Sequence, residues 1–226
     1  MRIFKRILVI AGAAALLALA ARDYLGHRFF KQYQAVRARA KSIESGFPEM
    51  ERNLKRAVAF YGNPVFHHEL GRLYLERAVV ENEFGTEENR DSFLDRAAGA
   101  IVRALANNPI DASAFYDLGR VYMLYNDPVP IYQDKARRFF RRALELDPAD
   151  EFLNANILFI FLAQWDSLDK GETAFLTERL KAAPEIGPGI LPRIRKLWTA
   201  SFGDTGRLKD ILSPDESLWK ILGRYF

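Results

Sequence analysis

Two short stretches of this chain say the same thing. Leu70-Gly71-Arg72-Leu73-Tyr74 and Leu118-Gly119-Arg120-Val121-Tyr122 both read Leu-Gly-Arg-apolar-Tyr, 48 residues apart. Each is followed by a second shared pattern. Ala97, Ile101, Ala104 and Pro109 are spaced 4, 3 and 5, and Ala136, Phe140, Ala143 and Pro148 have the same spacing. Self-similarity on this scale marks an array in which one supersecondary unit is used again. The 3.6-residue periodicity of both halves makes that unit a pair of helices. Gly71 and Gly119 remove a side chain where the two helices meet, and the small alanines remove one from the other side. Leu, Tyr and Phe at helical spacing fill the flanks. Pro109 and Pro148 cannot continue an ordinary helix, so each ends its hairpin.

The pattern resembles the tetratricopeptide repeat (TPR). Phe115, Leu118, Gly119, Tyr122, Ala136, Phe140, Ala143 and Pro148 match that family's consensus positions. Ala143 to Pro148, Ala-Leu-Glu-Leu-Asp-Pro, is a typical ending of its unit. The spacing from Pro109 to Ala112 sets the next unit in frame. Both units are longer than the family's. Roughly 14 extra residues lie between Tyr74 and Ala97, in the acidic segment VVENEFGTEENRDSF, and about five lie between Tyr122 and Ala136, including Asp127-Pro128-Val129-Pro130. Glu87-Glu88 is expected in a loop.

Fainter units flank these two. Residues 151–183 read as helix, turn, helix, with Asp166 to Gly171 as turn and cap. Met50, Leu54 and Ala57 resemble the second helix of an earlier unit whose first helix is the basic segment 23–43. Helices near 188–201, 204–212 and 214–225, split by Gly203 and Pro214, read as an irregular end cap. Trp198, Trp219 and Phe226 there are expected to pack rather than to recognise. The expected fold is all-α: an N-terminal membrane helix, then an α-solenoid of antiparallel helix hairpins with a helical C-terminal cap. The expected divisions are 1–21 (transmembrane anchor or signal peptide), 22–62 (basic helical segment and first irregular hairpin), 63–184 (TPR-like repeats) and 185–226 (capping helices).

The membrane expectation comes from Ile7 to Ala21, an uninterrupted apolar run behind Arg2, Lys5 and Arg6. As a signal peptide core its 15 residues suffice, and Ala18-Leu19-Ala20 has the small-x-small form of a cleavage site. As an uncleaved anchor, a helix from Ile3 approaches the roughly 20 residues a span needs. The absence of a break after Ala21 favours the anchor. Three Lys/Arg precede the run and six follow by Lys41, which does not favour export, whereas the short basic tail does. The expected location is a bacterial inner membrane, single-pass, with the repeats in the periplasm. A cytoplasmic repeat domain, or a soluble periplasmic protein after cleavage, are the alternatives.

Charge supports that division. The net charge is +4. Residues 1–60 hold 12 Lys/Arg against 4 Asp/Glu, and the remainder 21 against 25. The excess therefore lies beside the apolar run, where it suits a membrane surface better than nucleic acid. With no cysteine, the chain has no disulfide, thiolate metal site or cysteine nucleophile. Three histidines occur, and neighbouring His67 and His68 point about 100° apart on a helix, so they do not easily share a metal. Neither a phosphate-cradling Gly-rich loop nor a Gly-x-Ser-x-Gly elbow is present. No enzyme activity, metal or cofactor is expected.

The TPR resemblance implies a groove lined by first helices. The residues beside the Leu-Gly pairs that it assigns to the groove are His68, Arg72 and Glu76, then Tyr116, Arg120 and Met123. Arg72 and Arg120 are equivalent, which gives either a basic ladder for carboxylate or phosphate partners, or ion pairs with Glu69, Glu76 or Asp117. Family members that clamp a peptide C-terminus carry Lys and Asn at these places, which this chain lacks. The expected partner is a protein or peptide, with the membrane as a second attachment. Asn63-Pro64-x3-His68-Glu69-Leu70-Gly71 and Trp165-x3-Asp169 also look like membrane-anchored bacterial repeat proteins of surface-polysaccharide assembly. The competing function is a soluble periplasmic ligand-binding or carbohydrate-acting protein.

Overall fold

The computed structural model describes residues 2–125, 130–213 and 215–222. The described residues are helical, without strands. The helices are α1 (Arg2–Arg39), α2 (Ile43–Phe60), α3 (Pro64–Phe84), α4 (Glu87–Asn107), α5 (Ala112–Leu124), α6 (Pro130–Leu146), α7 (Glu151–Ala163), α8 (Lys170–Ile186), α9 (Ile190–Phe202), α10 (Gly206–Leu212) and α11 (Glu216–Leu222), with a 3-10 turn at Trp165–Ser167. The chain divides into two compact units, residues 1–139 and 140–226, and the division falls inside α6.

Helix starts follow from side chains that accept the first free amides. Ser42 accepts from Ser45 N in a capping box, Asn63 from Val65 N with Pro64 next, Thr86 from Asn89 N and Asp111 from Ala114 N. In the second unit Asp150 accepts from Leu153 N, and Asp169 forms a capping box with Glu172. Asp111 and Asp150 each stand two residues after the prolines that close the preceding hairpins.

From α1 to α5 each helix packs on the next, and the first helices α3 and α5 also touch, an α-solenoid-like arrangement. Met50, Leu54, Leu73, Leu94, Ala97 and Ile101 are fully buried in its core. The earliest hairpin is α1 with α2. In the second unit α7 packs on α8 and α9 around Ile157, Leu158, Leu180, Ile194 and Trp198. Gly203, at φ +81, ends α9 in a backbone conformation that suits glycine. Trp198 is fully buried and Trp219 half-buried, while Phe226, Pro214 and the insertion's Asp127 to Val129 lie outside the described residues.

Two expectations need correcting. The segment 1–21 is not a separate membrane helix: α1 runs unbroken through it to Arg39. Among the described residues no helix is long and apolar enough to cross a membrane. The apolar run is 15 residues, and Arg22 and Asp23 close it. Secondly, Glu87-Glu88 is not in a loop. The extra residues of this unit lengthen α3 and α4 to 21 residues each, and the two glutamates form the first turn of α4. Acidic side chains favour that end of the helix dipole.

Candidate functional site: an ion-paired layer on the first helices

Close approach of α3 to α4 sets the face that α3 presents. A Cβ on Gly71 would lie 2.5 Å from Ile101 Cγ1 and 3.2 Å from the Ala97 carbonyl oxygen. The same device occurs one hairpin earlier, where a Cβ on Gly26 would lie 2.7 Å from Tyr61 Cβ and 3.4 Å from the Ala57 carbonyl oxygen. Leu25-Gly26 is thus a further Leu-Gly pair at a helix crossing, hidden inside the basic segment. Phe30 of α1 stacks on Phe66 of α3 with ring centroids 4.7 Å apart.

With the helices so placed, charged residues of α1, α3 and α5 interlock. His68 is the centre. Its Nε2 is 3.0 Å from Asp117 Oδ2, and its Nδ1 is 3.5 Å from Asp111 Oδ2. Arg72 reaches the same Asp117 Oδ2 through Nε at 3.5 Å and donates from Nη1 to Glu69 at 2.9 Å. Arg120 donates to Asp117 Oδ1 at 3.2 Å and lies over the Tyr116 ring, 5.7 Å from its centroid. Glu69 also accepts from Tyr33 at 2.8 Å. Arg37 donates to Tyr33 at 2.6 Å and to Glu76 at 2.5 Å.

The layer balances its own charge: four carboxylates, Glu69, Glu76, Asp111 and Asp117, meet Arg37, Arg72, Arg120 and His68. Burial alone would strip the proton from His68, but hydrogen bonds to Asp111 and Asp117 outweigh it and raise its pKa to about 9. It is therefore an imidazolium at neutral pH. The bond to His68 in turn holds Asp111 below the ordinary carboxylate value. Tyr33 is pushed up, first by burial and then by the charge of Glu69.

Five of the six residues expected beside the Leu-Gly pairs meet partners in this layer. His68, Arg72 and Arg120 converge on Asp117, Glu76 pairs with Arg37, and Tyr116 lies beneath Arg120. Met123 is half-buried on α5, apart from these ion pairs. The two arginines form ion pairs rather than an open basic ladder. Both keep substantial exposure, 42% for the Arg72 side chain and 37% for Arg120. Sequence reasoning missed Tyr33, Arg37 and Asp111. The i, i+4 spacing of Tyr33 and Arg37, and the place of Asp111 just after Pro109, were the available signals.

His67 turns to another flank of α3 and lines a cleft with Arg103. Among the described residues no cluster of three metal-capable side chains occurs. No known protein family matches this chain, and no curated protein proves similar to it.

Proposed function

We propose that the chain is a membrane-tethered, TPR-like scaffold that holds a protein or peptide partner on the face shared by α1, α3 and α5. One observation carries this reading. The ion-paired layer joins three successive first helices into one pre-set surface, while Arg72 and Arg120 keep exposed guanidinium edges for a partner's carboxylates or backbone carbonyls. The tether is the first half of α1, which lays its exposed apolar side chains into the membrane surface rather than crossing it. Residues 10–24 are exposed, Ile10, Leu16 and Leu17 among them, and nothing described in the protein covers them. We place the repeats outside the cytoplasm of a bacterium, near an envelope assembly complex. The link to surface-polysaccharide assembly rests on the sequence resemblance.

The test is partner recovery from gently solubilised membranes. Replacing Arg72 and Arg120 together by Gln should lower recovery at least tenfold relative to Arg207→Gln in the second unit. Undiminished recovery by a folded double variant would remove the face from consideration. An alkaline phosphatase fusion at the C-terminus should be active, and a well-expressed but inactive fusion rejects the orientation.

A second reading, a soluble periplasmic ligand-binding or carbohydrate-acting protein, draws on the same exposure of residues 10–24. Cleavage after Ala20 would leave the packing of Gly26 and Phe30 untouched. N-terminal sequencing of the mature chain separates the two.

A further inference from the structure

The strongest unassigned feature lies away from the ion-paired layer, in a cleft of about 360 Å³ between α2, α3 and α4. Arg96 and Arg103 stand seven residues apart on α4, with small Ala100 between them leaving room at the cleft floor. Lys55 enters from α2, and His67 and Tyr74 from α3. The arginines of the ion-paired layer have carboxylate partners. Among the described residues these two form no ion pair: Arg103 donates its Nε to the Gly99 carbonyl at 3.0 Å, and Arg96 lies over the Phe93 ring at 5.5 Å, with Glu51 near enough to feel its charge.

Among the described residues, Glu51 is the carboxylate that pairs into this neighbourhood. It accepts from Tyr74 at 2.8 Å and pairs with Lys55 at 2.7 Å. Three cations against one carboxylate leave a surplus of two positive charges. Burial and then the charge of Arg103 lower the His67 pKa, which favours its neutral form. It retains a ring N–H to donate. Donors thus approach one space from three helices, two of them planar guanidinium groups suited to tetrahedral oxyanions.

We propose that this cleft binds a phosphate dianion, either free or as the phosphomonoester of a small molecule. A double negative charge matches the surplus, and three terminal oxygens match donors arriving from three sides. The volume lies in the range of small-ligand sites, and Leu70 and Ala100 offer apolar contact to the rest of a ligand. The site is independent of the scaffold reading.

The experiment titrates the full chain, in neutral detergent, with inorganic phosphate and separately with glycerol phosphate, against sodium chloride of matched ionic strength. The readouts are calorimetry and the imidazole resonances of the three histidines. The expected result is saturable binding that shifts the His67 resonances and leaves those of His27 in place. Arg96→Gln and Arg103→Gln should each weaken binding at least tenfold, with helix content unchanged by circular dichroism. Arg96→Lys should restore part of it, and Arg207→Gln should match the parent chain. Tighter binding of glycerol phosphate than of phosphate assigns the site to an organic phosphate, and equal binding to the free ion. Absence of a saturable His67 shift, or undiminished affinity in both Gln variants, overturns the proposal.

Discussion

His68 holds its proton between two carboxylates, and this sets the direction in which pH acts on the fold. Its pKa rises from 6.5 to about 9. A group raised on folding stabilises fully below its unfolded value and loses that contribution as pH climbs through the folded value. The stabilisation lost between those limits is on the order of 3 kcal/mol. Urea unfolding at pH 6 and pH 9.5 should therefore show a marked loss for the parent chain and a flatter response for His68→Gln. Asp111 acts in the opposite sense: its depressed pKa makes its contribution disappear in acid. The prominence of His68 was legible from its place beside a Leu-Gly pair. Its role was not, since Asp111 and Asp117 reach it from 43 and 49 residues away, a juxtaposition that local periodicity does not encode. Gly71 was legible because the Leu-Gly-Arg-apolar-Tyr pattern occurs twice. Gly71→Ala should cost roughly 1–3 kcal/mol through its clash with Ile101. Gly12→Ala, with open space around it, should be neutral or stabilising by up to about 1 kcal/mol. Thermal unfolding of both variants checks the contrast.

Asp111 and Asp150 start α5 and α7 with equivalent hydrogen bonds, 3.0 and 2.9 Å to the third amide of each helix. Asp111 also faces His68, while no histidine faces Asp150 among the described residues. Replacing Asp150 by Ala should cost about 1 kcal/mol, the ordinary value of a cap. Asp111→Ala should cost about twice that, and the difference should vanish in a His68→Gln background, as measured by a double-mutant cycle. The second-helix patterns were readable wherever small residues and a closing proline repeated at fixed spacing. The acidic insertion was misread because a charge run looks solvated whether it lies in a loop or on a helix. Its exposed residues include Glu87 and Glu88, yet Thr86 caps them into α4. Leu25-Gly26 went unrecognised because basic residues crowd the helix around it. Its evidence is the close approach of Ala57 on α2 and of Tyr61 just beyond it, which leaves no room for a Cβ.

On the scale of the molecule, exposed and packed stretches separate along α1. Residues 10–24 are exposed, and burial begins at Gly26 and continues through Tyr33 and Val36. A chain beginning at Arg22 should melt within about 2 °C of the parent, since surface positions contribute little to stability. It should also leave the membrane fraction for the soluble one. A fall in Tm well beyond that would show that the apolar run is part of the fold. One helix serves both halves, and its 38 residues at about 1.5 Å each make a rod of about 57 Å without an internal proline. A flexible leash would let the repeats tumble at the end of their attachment. A continuous helix does the reverse: under the proposed tether it would act as a mast, so that rotating or tilting the held end would turn the proposed partner surface through the same angle.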